Sequence, residues 1–168
     1  MVRVGIIGTA CRDRDFVDRV VYYQALLYLE QWLSSQWSWS EIILVSGGAA
    51  WSDHLAVLLY LRHPGCRIDL KLPEPLAVTL EGRSTSAYHH RCFEQSTGIP
   101  SLSHLQSVPI GSLSLYHGFK ARDRVIASSV DILIALTKDG NGKLTSGTQY
   151  TWNSTPDNIP KYIVPYPR

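Results

Sequence analysis

Glu41-Ile42-Ile43-Leu44-Val45-Ser46, closed by Gly47-Gly48, is the stretch that decides the fold. A nearly unbroken apolar run of this length reads as a strand buried on both faces, the pattern of a parallel sheet covered by helices. The paired glycines end it sharply. Upstream, Val2-Arg3-Val4-Gly5-Ile6-Ile7-Gly8 has the same β-rich character and its own terminal glycine. Downstream, Arg67-Ile68-Asp69-Leu70-Lys71-Leu72 alternates as a half-exposed strand, and Asp131-Ile132-Leu133-Ile134-Ala135-Leu136 returns to the central type. Tyr162-Ile163-Val164 lies between prolines, as suits a sheet edge or a chain end.

Helical patterns fill the intervals. From Asp15 to Leu33 the residues Phe16, Val20, Tyr23 and Leu27 recur at three- and four-residue steps, which predicts a face packed on the sheet. Further helices are expected over Ser52 to Arg62, broken by His63-Pro64-Gly65, over about Tyr116 to Ser129, and near Thr148 to Trp152. The alternation predicts one α/β domain over residues 1–168, Rossmann-like, with a mainly parallel, doubly wound sheet and right-handed crossovers. Residues 73–115 interrupt the rhythm with prolines, serines and histidines, and offer one helix, Ser86 to Gln95. Connections of such length are usually functional, so the segment is read as a lid or ligand-side insertion.

Composition excludes more than it identifies. With 45% apolar and 18% charged residues the chain is that of an ordinary folded domain. Its 16 basic and 14 acidic residues are scattered, and no like-charge run exists to track a nucleic-acid backbone. Cys11, Cys66 and Cys92 are too sparse for a disulfide framework and suit a reducing compartment. No run is long and apolar enough for a signal or a membrane span, so a cytoplasmic protein without a membrane partner is expected.

Open parallel sheets bind ligands beyond the C-terminal ends of their strands, and three loops leave that edge. The first, Gly8-Thr9-Ala10-Cys11-Arg12, offers small residues for close backbone approach, the Thr9 hydroxyl and the Arg12 cation. The second, Ser46-Gly47-Gly48-Ala49-Ala50, runs into a helix N-terminus whose free N–H groups and dipole favour an anion such as phosphate. Asp53 behind it caps that helix or grips a ribose hydroxyl, and Trp51 stacks on a nucleobase or packs in the core. The third, Gly140 to Thr148, brings Ser146, Gly147 and Thr148 to another helix start as a second anion nest. Two such nests suit a nucleoside phosphate. Neither G-x-G-x-x-G nor a Walker sequence is present. His89-His90 point about 100° apart on a helix, so no metal is expected there, and no cofactor is called for.

Ser46-Gly47-Gly48-Ala49, Arg122 nine residues ahead of Asp131, the apolar strand and then Gly147-Thr148 occur in that order. This arrangement resembles the superfamily joining the DNA-processing SMF proteins to the Lonely Guy cytokinin phosphoribohydrolases and their nucleotide-binding relatives. The resemblance spans the chain apart from residues 73–115. It implies that the two glycine-rich loops hold a nucleoside phosphate, that Arg122 contacts the ligand, and that the protein is a homodimer. Hydrolytic members of that superfamily carry a catalytic glutamate three residues after the Gly-Thr threonine, where this chain has Thr151, and their Pro-Gly-Gly is replaced by Lys138 to Ser146. A threonine cannot serve as the carboxylate of N-glycosidic cleavage. The expectation is therefore a protein that senses, carries or sequesters a nucleotide-type molecule. The alternative is an N-glycosidase acting on nucleotides with a relocated carboxylate, for which Asp53 and Glu94 are candidates beside Glu81 and Asp123.

Overall fold

Among the described residues six strands form a single sheet: β1 (Val2–Gly8), β2 (Ile42–Ser46), β3 (Arg67–Leu72), β4 (Leu113–Leu115), β5 (Ile132–Thr137) and β6 (Lys161–Pro165). In the computed structural model, which describes residues 1–9, 18–73, 85–137 and 142–166, they run in the order β4-β3-β2-β1-β5-β6. Every neighbouring pair is parallel. The chain steps outward from β1 to β4, then returns to the far side of β1 for β5. That reversal makes the crevice between β1 and β5 the topological switch point, where ligands of open α/β sheets sit.

Helices cover both faces, as a doubly wound α/β fold requires. Helices α1 (Arg19–Gln36), α2 (Ser52–Arg62), α3 (Thr85–Thr97) and α4 (Ser101–Gln106) supply Leu26, Leu55, Phe93 and Leu105 to a core with Val4, Ile6, Leu44, Leu70 and Leu136 of the sheet. On the opposite face α5 (Phe119–Ser128) and α6 (Ser146–Ser154) pack through Ile126 and Trp152 on Ile7, Val45, Leu133 and Ala135. The alternating strand residues thus divide between two cores, which is why β2 reads as apolar almost throughout.

Two expectations are corrected. Helix α1 begins at Arg19, where the Asp18 carboxylate accepts from the Val21 amide, and it buries Tyr22, Ala25, Leu26, Leu29 and Leu33. Val20 and Leu27, expected on its buried face, are exposed. The stretch is apolar on more than one side, so a three-to-four-residue period fits two faces, and packing on the sheet selected the other one. The insertion also holds more regular structure than one helix: besides α3 it contributes α4 and the edge strand β4, which pairs Lys71 with Ser114. Three residues are too few to display a two-residue period.

Close approach at the switch point depends on Gly8. A Cβ there would lie 2.5 Å from the Leu136 carbonyl oxygen and 2.7 Å from Ser52 Cβ, so any side chain would push β1 off β5. Among the described residues no helix is long and apolar enough to cross a membrane.

Candidate functional site

The loop after β2 is held from within. Ser46 Oγ donates to the Asp53 carbonyl at 2.8 Å and accepts from the Gly48 amide at 3.2 Å. Gly48 has φ +66°, and a Cβ there would lie 2.4 Å from Leu72 Cδ2, so backbone and space both require glycine. Its carbonyl accepts from Nε2–H of the fully buried His90, 2.9 Å away, which leaves His90 Nδ1 facing the Ser101 hydroxyl at 2.9 Å. The insertion helices α3 and α4 are in this way fastened to the ligand-side loop. The loop ends at Trp51, a non-glycine residue at φ 67°, ψ −113°. Its ring is buried edge-on against Phe93 and its carbonyl accepts from the His54 amide and Tyr22 hydroxyl, contacts that hold the strained backbone in place. With 1% of its surface exposed, Trp51 packs in the core and is not free to stack on a base.

Arg122 arrives from the other face of the sheet. Its guanidinium donates from Nη1 to the Gly47 carbonyl at 2.9 Å, lies 3.6 Å from Asp53 Oδ2, and holds Nε 2.6 Å from Asp123 Oδ1. That last contact is an ion pair whose angle falls short of a hydrogen bond. Phe119 sits beneath the guanidinium, its ring centroid 5.5 Å from Cζ. All three charged side chains are buried, so one cation serves two carboxylates out of reach of bulk water. Burial pushes the Asp53 carboxyl up to about 6 and Asp123 adds to the push, against Arg122 and the Ala49 and Gly47 amides, which favour the charged form. Asp53 does not cap α2, whose N-cap position is Trp51; it braces the loop ahead of the helix. The amides of this loop are consequently turned to partners inside the protein, Ser46 and Asp53.

The N-terminus of α6 is arranged differently. Its N-cap Thr145 makes no side-chain capping bond to the helix amides; its hydroxyl instead meets that of Thr148 at 3.1 Å. Ser146 and Gly147 are exposed, and a Cβ on Gly147 would meet nothing within 4 Å. The Ser146 and Gly147 amides, at the positive end of the helix dipole, have no hydrogen-bond partner among the described residues. Thr151 is buried, its hydroxyl donating to the Gly147 carbonyl at 3.3 Å.

Of the remaining residues expected at the site, Gly8 ends β1 and Thr9 follows it, buried, with its amide on the Leu136 carbonyl and its own carbonyl accepting from Ser52. Arg12, Glu81 and Lys138 lie outside the described residues. Glu94 is withdrawn from the edge: its carboxylate accepts from the Leu102 amide at 2.8 Å and fastens the start of α4. Arg124 bonds the Tyr150 hydroxyl at 2.7 Å and ties α5 to α6.

One feature of the interior was not legible in the sequence, a chain of polar contacts inside the α-helical layer. Tyr22 Oη lies 2.9 Å from His54 Nδ1, and His54 Nε2 lies 3.2 Å from His104 Nδ1, the two imidazoles stacked 3° from parallel. Burial, and then His90 and His104, hold His54 well below the ordinary imidazole range. Burial likewise lowers His90 and His104.

No protein-family model matches the chain. It is similar to an uncharacterized protein of Acanthamoeba polyphaga mimivirus, 28% identical over 172 residues that span 94% of this chain and 92% of that protein. Coverage of that extent takes in the insertion as well as the sheet and its helices.

Proposed function

We propose that the protein binds a nucleotide-type, phosphate-bearing small molecule across the β1–β5 switch point. The observation that carries this reading is the open N-terminus of α6, where Ser146, Gly147 and Thr148 present uncapped amides and a hydroxyl at the C-terminal edge of a parallel sheet. The phosphate belongs there rather than on the Gly47 loop, whose amides already serve Ser46 and Asp53. Arg122 and Asp53 lie buried behind the Gly47 loop and carry its backbone, so they bear on the ligand through the charge of their cluster. The cluster of one guanidinium and two carboxylates repels an anion least when Asp53 is protonated, so binding is expected to tighten below pH about 6.

A second reading, N-glycosidic hydrolysis, is favoured by one feature: a buried carboxyl raised to about 6 beside an arginine is suited to proton transfer. Both readings are tested by one panel of nucleoside mono- and diphosphates, cyclic nucleotides and dinucleotides, followed by thermal shift and by release of free base. A shift with at least one compound is expected, because binding to the folded state raises apparent stability. Gly147→Asp places a carboxylate against the α6 amides in open space, where it suits the helix dipole. It is expected to leave the ligand-free melt intact and to abolish the shift. Equal shifts in the two proteins would place the ligand elsewhere, and base release lost in Asp53→Asn would establish the hydrolase.

The protein is further proposed to be a cytoplasmic homodimer. Cys66 and Cys92 are free thiols. The solvent face of α1 formed by Val20, Gln24, Leu27, Tyr28 and Gln31 carries no charge, so two copies can meet there across a two-fold axis without like-charge repulsion. Light scattering of the full chain distinguishes this from a monomer.

A further inference from the structure

Strand β3 departs from the rule that the rest of the sheet follows. A parallel strand covered on both sides is apolar on both sides, yet here Ile68, Leu70 and Leu72 join the large core while Arg67, Asp69 and Lys71 alternate with them on the other face. The core on that second face is drawn from β1, β2, β5 and α5 and includes no residue of β3 or β4. Along this side of β3, and reaching Tyr60, Cys66 and Ile68 of the large core at the strand's start, is an open cavity of about 480 Å³ lined among the described residues also by Arg3, Arg67, Asp69, Lys71, Ser112 and Ser114. The register sets these side chains in rows: Arg3 pairs with Ile43 and Ile43 with Arg67, while Lys71 pairs with Ser114.

The charges in this cavity do not balance. Lys71 Nζ lies 2.8 Å from Asp69 Oδ1, and the Arg3 guanidinium takes Asp69 Oδ2, so one carboxylate serves two cations. Burial raises the Asp69 carboxyl, but the Lys71 and Arg3 hydrogen bonds and charges draw it below its ordinary value. Lys71 is 8% exposed, and only one of its three N–H groups has a partner among the described residues. Arg67 stands at the rim, exposed, with no ion pair or side-chain hydrogen bond among the described residues. A buried ammonium with two N–H groups lacking a partner among the described residues is costly unless an acceptor reaches it, and Arg67 adds an unpaired cation at the solvent side of the same cavity.

We propose that this cavity is a second binding site, separate from the β1–β5 crevice, for a small anion bearing carboxylate or phosphate groups. Lys71 Nζ supplies the buried charge and Arg67 a two-pronged fork at the mouth, with the Ser112 and Ser114 hydroxyls as further donors. The volume is within the range of about 300–1,000 Å³ that holds small ligands.

Calorimetric titration of the full chain with citrate and with pyrophosphate, in about 0.15 M salt to screen surface charge, tests the site and separates the two chemistries. Saturable binding of at least one is expected. Arg67→Ala and Lys71→Met should each weaken it about tenfold or more, the value of a charge-assisted hydrogen bond, while Gly147→Asp leaves it unchanged. Absence of saturable binding by both anions overturns the proposal, as does wild-type affinity in Arg67→Ala. Should Lys71→Met fail to fold, Arg67→Ala decides alone, since its side chain is exposed and makes no ion pair or side-chain hydrogen bond among the described residues.

Discussion

Replacing Arg122 with alanine is expected to cost about 3–5 kcal/mol of stability at neutral pH, the range for removing one partner of a buried ion pair. The reason is what remains. Asp53 and Asp123, buried on either side of the guanidinium, would lose the cation they share, so each must hold an unpaired charge or take up a proton, and the Gly47 carbonyl would lose its donor. Denaturant unfolding at pH 7 measures the loss directly. The deficit should shrink as pH falls and the two carboxyls protonate, which distinguishes an electrostatic cause from the simple loss of side-chain packing. A loss under about 1 kcal/mol, the value of an exposed pair, would mean that water screens the cluster after all. Arg122→Lys should recover only part of the stability, since an ammonium cannot reach Gly47, Asp53 and Asp123 together in the planar geometry of the fork.

Asp53→Asn is expected to remove a loss of stability with rising pH. The Asp53 carboxyl is raised from 3.8 to about 6 in the folded protein. A group with a raised folded pKa contributes stability that is fully present below its unfolded value and lost as pH rises through its folded value. Between pH about 4 and 7 the wild type should therefore lose about 3 kcal/mol that the asparagine variant keeps, two pKa units at roughly 1.4 kcal/mol each. His54, His90 and His104, all lowered, act in the opposite sense and lose stability as pH falls. Since both proteins carry these histidines, the difference between the two unfolding curves isolates Asp53. A difference that stays flat with pH would show that the carboxyl titrates normally and would remove the acid–base argument for hydrolysis as well.

The parts of the site that could be read from the sequence are those encoded by neighbours along the chain. Gly47-Gly48 at the end of an apolar strand, and Ser146-Gly147-Thr148 at a helix start, are local signals, because strand termination and helix initiation involve a few consecutive residues. What those loops do with their amides is not local. The Gly47 loop reads as an anion nest until Asp53 and Arg122 are brought against it, the latter from 75 residues away. Trp51 could pack or stack, and only its position beneath Phe93 decides between them. The polar chain through Tyr22, His54 and His104 joins three helices and leaves no periodic trace in any of them.

The sequence by itself determined the α/β class, the buried character of β2 and β5, and the edge from which the candidate loops emerge, since alternation of strand and helix leaves a parallel sheet few arrangements. Tertiary structure alone decided which face of α1 is buried, that Leu113–Leu115 completes the sheet, and that Asp53, Arg122 and Asp123 share one buried space. The physical reason is the range of the forces. Backbone preferences act over a few residues, whereas burial and charge pairing depend on what the whole chain brings within a few ångströms.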